Sequence, residues 1–313
     1  MLLPQNKIDR LKKIAAISSV SLAVGLCLLK VIGAALSGSL SIFSSMIDSL
    51  SDIIASLITL ISIRISGRPA SCDYRYGYGK VEALSALAQA LFIAVSGGFI
   101  LYDAIWRLIE HRYLSQTVIG IAIMVISLIL TLILVAFQRH VAKLTNSQAI
   151  MADSQHYSVD IYTNLAIIAS LAVIYWWHIY WIDAAMAIAA AIYLLHVAWK
   201  LGRYAASLLL DKELGEDIRR RVIEIVASHP LHPDIHDLRT RDLGGHYMFE
   251  FHLELDGAQS LLEAHRHTEE VETLLRQTYP DAQIIIHQDP KGIDEERLDR
   301  HLTGSGCSIS TKP

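Results

Sequence analysis

Six stretches of this chain are each apolar for close to the length that a helix needs to cross the hydrocarbon core of a bilayer, about 20 residues. They run roughly over 14–36, 41–63, 81–106, 117–137, 149–176 and 181–209. Backbone polar groups find no water in lipid, so a span must satisfy them internally, and helix is the expected form of all six. Gly33, Gly38 and Pro69 fall at or between the ends of these runs, where breakers belong. A hydrophobic fraction of 53% and a mean hydropathy of +0.38 agree with residence in a membrane. The basic segment holding Lys7, Arg10, Lys12 and Lys13 leads into an apolar run too long for a signal peptide, so no cleavable signal is expected.

Charge divides the chain. Residues 1–210 carry a balance of +5 and residues 211–313 a balance of −9, which together make the formal −4. Most Lys and Arg of the first part fall on one side of the six runs, from Lys7 to Lys13, Arg64 to Lys80, Arg139 to Lys143 and Lys200 to Lys212. The other side holds Arg107, Arg112 and a snorkelling Lys30. This asymmetry predicts cytoplasmic N- and C-termini. Trp176, Trp177, Tyr180 and Trp181 read as an aromatic belt at the outer interface. No basic stripe points to nucleic acid. Cys27, Cys72 and Cys307 are too scattered for a disulfide framework or a thiolate metal cluster.

After Asp211 the pattern changes. Residues 213–228 read as an amphipathic helix, 236–243 and 246–255 as strands joined at Gly244–Gly245, 260–279 as a second helix and 282–288 as a third strand. The expected fold is therefore a six-helix, all-α membrane bundle over 1–210, followed by an α+β cytoplasmic domain over 211–290. The latter has the order αββαβ, a ferredoxin- or metallochaperone-like sheet with helices on one face. Residues 291–313 read as a mobile tail.

The second run carries Ser41, Ser45, Asp48, Asp52, Ser56 and Thr59 at steps of three and four, one polar stripe on an otherwise lipid-soluble helix. The fifth carries Asp153, His156, Asp160 and Asn164 at the same spacing. Ionisable groups inside a bilayer cost several kcal/mol unless partnered. Two neighbouring carboxylates repel until one takes a proton. A divalent cation resolves both problems. Asp48 and Asp52 from one helix, with His156 and Asp160 from the other, make a four-ligand set suited to tetrahedral Zn²⁺. The imidazole argues against Mg²⁺ and Ca²⁺.

At these residues the chain resembles the cation diffusion facilitator family, and within it the bacterial ferrous-iron and zinc efflux pumps. The resemblance rests on Gly38-Ser39-Leu40-Ser41, Asp48-x-x-x-Asp52, Tyr76-Gly77-x-Gly79-Lys80-x-Glu82, Ala152-Asp153-x-x-His156-Tyr157-x-x-Asp160, Ile235-His236-Asp237-Leu238-Arg239-Thr240-Arg241, Ala264-His265 and Ile286-His287-Gln288-Asp289-Pro290, over about residues 10 to 290. It implies a homodimer in the bacterial inner membrane that exports divalent metal, zinc first and then Cd²⁺ or Fe²⁺, in exchange for protons. Asp48, Asp52, His156 and Asp160 would be its transport site. A cytoplasmic binuclear zinc site is implied at His236, His252, His265, His287 and Asp289, with Gln288 as a contributor from the neighbouring chain. The resemblance also implies an interlocking ion pair between Lys80 and Asp211, for which a snorkelling Lys and a helix-end Asp are an equal alternative.

Relatives carry a further metal site in the loop after the second helix, built from one Asp and two His. Ser71, Tyr74 and Tyr78 stand at those positions, so this site is expected to be absent or much weakened, although Cys72 and Asp73 lie close by. His229, His232, His246 and His267 have no counterpart in the family pattern and read as solvated; His111, His140, His178 and His196 read as interfacial or structural. An intramembrane aspartyl protease would need a Gly-x-Gly-Asp signature, and here Gly77-x-Gly79 precedes Lys80; a membrane zinc protease would need H-E-x-x-H, which is missing. A metal sensor without transport would not need two buried polar stripes.

Overall fold

Five of the six apolar runs lie in helices that continue past them at one or both ends, and the run 181–209 coincides with its helix. In the computed structural model, which describes residues 5–37, 40–110, 118–177 and 181–293, the helices are α1 (Gln5–Ser37), α2 (Leu40–Ser66), α3 (Val81–Glu110), α4 (Val118–Thr145), α5 (Gln148–Trp177) and α6 (Trp181–Leu209). A helix need not stop where the hydrocarbon does. Thus α1 begins nine residues before the expected start, through Lys7, Arg10 and Lys12, and α4 continues through Arg139 and Lys143. Five of the six are long and apolar enough to cross a membrane by themselves: Lys7–Ile32, Ser49–Ser66, Val81–Trp106, Ala122–Thr145 and Ala184–Leu209. The other, α5, carries Asp153, His156 and Asp160 in its first half and Asn164 just past its middle.

The surface of this unit is apolar in the manner of a lipid-facing protein. Leu91, Val95 and Phe99 on α3, Ile129 and Ile133 on α4, and Trp199 on α6 all stand exposed, an arrangement that water would penalise. Trp176, Trp177 and Trp181 are exposed around the α5–α6 turn; Tyr180 lies outside the described residues. Inside, small residues let helices approach closely. Ala86, Ala90 and Ile93 of α3 pack on Leu194, Ala198, Leu201 and Ala205 of α6. A methyl group on Gly97 would lie 3.3 Å from the Leu194 Cβ, so the α3–α6 seam has no room to spare there. Ala15 and Ala16 of α1 likewise meet Leu60 and Ile63 of α2 and Val141 and Ala142 of α4.

The chain divides into two compact units, Met1–Leu209 and Leu210–Pro313. The second contains α7 (Glu216–Ala227), β1 (Ile235–Asp242), β2 (Tyr247–Leu255), α8 (Leu261–Thr278) and β3 (Gln283–Pro290). The order αββαβ is the expected one. The sheet order is β1-β2-β3, with β1 antiparallel and β3 parallel to β2. α7 starts three residues later than its amphipathic pattern suggests, because Glu213 is engaged elsewhere: its carboxylate accepts from the Thr240 backbone N–H at 3.1 Å and from the Thr240 hydroxyl at 2.5 Å. The β1–β2 connection turns at Gly244 and Gly245, both at positive φ, with the Asp242 carboxylate accepting their N–H groups at 2.7 and 3.0 Å.

Strand alternation sets the two faces of this sheet. Phe249, Phe251, Leu253 and Leu255 of β2 face Val222, Ile225 and Val226 of α7 and Val271 and Leu275 of α8. Glu250, His252 and Glu254 point to the opposite face. α8 begins with a capping box. The Ser260 hydroxyl accepts from the Glu263 N–H, and the Glu263 carboxylate accepts from the Ser260 N–H at 2.8 Å. The Ser260 backbone N–H and hydroxyl hold the Glu263 carboxyl below its ordinary range. Because the folded value is the depressed one, this contribution is complete above the ordinary glutamate range and is lost as pH falls through the folded value.

Ser260→Ala is expected to raise amide hydrogen exchange in the first turn of α8 about fivefold at neutral pH, a typical N-cap loss. Acidification of the parent protein below the glutamate range should have a similar local effect. Both are measurable by exchange mass spectrometry on the full chain.

Candidate metal centres

Two polar stripes at helical spacing meet only if their helices cross with those faces together, and α2 and α5 do. His156 Nε2 lies 3.1 Å from Asp52 Oδ1, with 7% and 13% of the two side chains exposed. The other imidazole nitrogen, Nδ1, is buried without a hydrogen-bond partner. Such an orphan costs about 1–3 kcal/mol. Asp160 lies one turn further along α5 and is half-buried. Asp48 belongs to α2, one turn before Asp52; its side chain lies outside the described residues, as do those of Ser41 and Ser45. The gathered chemistry is an imidazole against a carboxylate in a largely buried site, with Asp160 one turn away on α5. It can hold a small divalent cation, or a proton in its place.

Asp153 belongs to the same stripe but faces other helices. It is fully buried. Its Oδ2 accepts from the Ser19 hydroxyl of α1 and from Gln138 Nε2 of α4, each at 2.6 Å. Ser19 Oγ is 2.8 Å from Ser56 Oγ, which is 2.7 Å from the Tyr157 hydroxyl. Ser19, Gln138 and Tyr157 were not singled out from sequence. A lone Ser or Gln on an apolar helix carries too little signal, but Tyr157 beside His156 in an otherwise polar motif was a usable one. Lys30, read as snorkelling, donates instead to the Ser49 hydroxyl at 2.7 Å. At the far end of the bundle Glu82 accepts from Lys12 at 2.8 Å, from Ser66 at 3.1 Å and from Ser147 at 2.6 Å, joining α1, α2, α3 and the start of α5.

The second unit gathers its histidines through strand register. His236 of β1 pairs with His252 of β2, and His252 pairs with His287 of β3, so three imidazoles share one rung of the sheet. The ring centroids are 5.0 and 4.8 Å apart. Two residues further on, and hence on the same face, Glu254 pairs with Asp289. The buried Asp289 carboxylate touches all three rings. Oδ2 lies 2.7 Å from His252 Nδ1 and 3.4 Å from His236 Nε2, and Oδ1 lies 3.2 Å from His287 Nε2. A carboxylate whose two oxygens serve different imidazoles is placed to bridge two cations. Glu254, 3.2 Å from His236 Nδ1, was missed, although the period of two that relates Asp289 to His287 also relates Glu254 to His252. His265 is exposed on α8, where its Nε2 lies 3.4 Å from Glu269, outside this group of four. Gln288 donates to Thr268 Oγ1 at 2.8 Å within its own chain.

Two expectations for solvated histidines need correction. His229 is buried, 2% exposed, and His267 is largely covered. His229 Nε2 and His267 Nδ1 lie 2.9 and 3.2 Å from the same oxygen of Glu270. The two imidazoles hold the Glu270 carboxyl below its ordinary range. The reason is that His229 closes the end of α7, where Pro230 turns the chain back against α8. His232 is exposed as expected, whereas His246, also expected to be solvated, is half-buried; His140 and His196, read as interfacial or structural, are exposed, and His111 and His178 lie outside the described residues. In the loop after α2, the Ser71 and Tyr78 hydroxyls are 3.0 Å apart and the Tyr74 and Tyr78 rings 4.8 Å apart, with Cys72 exposed. Asp211 lies 3.4 Å from Arg241 Nη1.

Comparison with known proteins accounts for both units. Residues 16–210 match the cation efflux transmembrane domain, and residues 214–291 match the cytoplasmic domain of cation efflux proteins. The cation-efflux pump FieF of Serratia proteamaculans is 39% identical over 287 residues, 92% of this chain and 95% of that protein. FieF of Salmonella arizonae is 40% identical over 282 residues, 90% of this chain and 93% of that protein. A solved zinc form of CzrB is 33% identical over 28% of this chain and 99% of its own length, with a TM-score of 0.24, too low to bear on the arrangement of the whole. By these matches over most of its length, the chain belongs to the cation efflux family, as a multi-pass membrane transporter of divalent metal ions and not an enzyme.

Proposed function

We propose that this transporter exports zinc, with Cd²⁺ and Fe²⁺ as further cargoes, from the cytoplasm in exchange for protons, through a site formed by Asp48, Asp52, His156 and Asp160. The observation that carries the reading is the buried contact between His156 and Asp52 across α2 and α5. Neutral imidazole and ionised carboxylate ligate a metal; their protonated forms do not. Cation and proton therefore compete for the same atoms, which is the chemical requirement of an exchanger. Coupling further needs the two open states to differ in affinity. An imidazole among carboxylates favours zinc-like ions over the hard cations.

The Lys and Arg asymmetry supports cytoplasmic termini, and the bacterial pumps among the relatives support the inner membrane. We assign the second unit to a homodimer contact, with zinc held by His236, His252, His287 and Asp289. The buried Asp289 between three imidazoles fits two zinc ions sharing one carboxylate. His265 is the fifth member by family resemblance and would have to leave Glu269 to join them. Bound zinc would tie β1, β2 and β3 together and stabilise the folded unit by about 2.7 kcal/mol at a hundredfold excess over its dissociation constant.

In inverted vesicles an acid lumen is expected to drive zinc uptake, and collapse of the pH gradient should stop it. Asp52→Ala and His156→Ala should each lower the flux by at least about tenfold, since loss even of supporting groups around a metal costs 10- to 100-fold. Full flux in both variants would overturn the site, and uptake indifferent to the gradient would overturn the exchange. For the second unit, Asp289→Asn should lower the zinc retained per chain and remove the zinc-induced slowing of hydrogen exchange in β3, whereas unchanged retention would remove Asp289 from the site. Replacing Tyr74 and Tyr78 by His, and Ser71 by Asp, should add bound zinc per chain. Zinc already bound at this loop in the natural protein would contradict that expectation.

A further inference from the structure

A second group of metal-ligating side chains in the cytoplasmic unit lies away from the histidine rung. His229 follows the last turn of α7, and His267 and Glu270 stand three residues apart on one face of α8. The rung occupies the face of the sheet that carries His252 and Glu254, whereas α7 and α8 cover the opposite face. One ligand atom from each of His229, His267 and Glu270 lies within 4.8 Å of the others. From this geometry we propose that His229, His267 and Glu270 form an additional binding site for a zinc-class divalent cation, separate from both the transport site and the rung.

The distances that join this cluster by hydrogen bonds also suit a shared cation. A tetrahedral zinc ion with bonds of about 2.0–2.1 Å sets its ligand atoms about 3.3 Å apart. The edges from Glu270 Oε2 to His229 Nε2 and His267 Nδ1 measure 2.9 and 3.2 Å. The two rings stand 5.7 Å apart at 81°, so both nitrogens point to the same place without the rings stacking. His229 is fixed by burial, while Glu270 is half-exposed and can shift to close the third edge. Two imidazoles and one carboxylate leave a fourth position open, and the cluster borders a cleft lined by His229, Pro230, Arg266, Glu269, Glu270 and Thr273, from which water can supply it. The Leu231 N–H donates to His229 Nδ1 at 3.3 Å, which places the neutral ring's proton on Nε2. Metal at Nε2 would leave the ring's proton on Nδ1, and the Leu231 contact and the hydrogen bonds of both imidazoles to Glu270 would be exchanged for metal bonds. A bound ion would fasten the α7–β1 corner to α8, as the rung would fasten the three strands to one another.

The test uses the full-length protein with Zn²⁺ alone. His267→Gln and Glu270→Gln alter covered or exposed positions on α8 and not its core, and Glu269→Gln in the same cleft serves as control. Each of the first two is expected to retain one fewer zinc ion per chain than the parent after dialysis, and Glu269→Gln none fewer. Zinc should slow hydrogen exchange at residues 229–232 in the parent and not in His267→Gln. Parent-like zinc content in either His267→Gln or Glu270→Gln, or exchange at 229–232 that ignores zinc, would overturn the site. Zinc flux in Asp52→Ala vesicles is read separately, so failure of this site and failure of the transport site are distinguishable.

Discussion

A charge in hydrocarbon must find an opposite charge, a donor or a bound ion, because water is not there to solvate it. The membrane unit is arranged around that requirement. Asp52 is met by His156, Asp153 by Ser19 and Gln138, and Glu82 by Lys12, each partner coming from another helix. These contacts fix which helix faces lie together more narrowly than apolar packing would, since Ala, Leu and Ile slide past one another at little cost. The contact between His156 and Asp52 leaves the buried His156 Nδ1 without a hydrogen-bond partner, as is Asp153 Oδ1. Asp153 and Glu82 take their donors from side chains that stay with the protein. In the proposed transport site, His156 and Asp52 would serve a cation that arrives and leaves.

Much of this was legible in the amino-acid order. Long apolar runs fix the helices, since lipid permits little else, and steps of three and four fix which residues share a face. The partner of each face was harder to read. Asp153 and His156 are three residues apart, about 300° around the helix, or 60° short of a full turn. That offset turns Asp153 toward α1 and α4 while His156 reaches α2. A stripe on one helix therefore says that polar neighbours exist, not which helix supplies them. Helix ends do not follow from hydropathy, which marks where an apolar run stops, whereas α1 and α4 run on through charged residues.

In the cytoplasmic unit the order αββαβ follows from periodicity and from the glycine turn. Its metal chemistry follows only once the register is known. His236, His252 and His287 are 16 and 35 residues apart in sequence and share a rung only because β1 runs antiparallel and β3 parallel to β2. The burial of His229 was not legible, because a histidine after an amphipathic helix and before a proline reads as a surface turn; the fold of 228–234 against α8 makes it otherwise.

The rung has a consequence for ion size. Neighbouring strands are held about 4.7–4.9 Å apart by their ladder hydrogen bonds, and the ring spacings of 5.0 and 4.8 Å follow that pitch. Backbone, rather than pliable loops, thus sets the distance between successive nitrogen donors. An ion that wants more ligands at longer bonds would have to spread the strands against every hydrogen bond of the ladder. At the proposed zinc site, the sheet would act as a gauge of fixed aperture, tolerant of small four-coordinate cations and resistant to large ones.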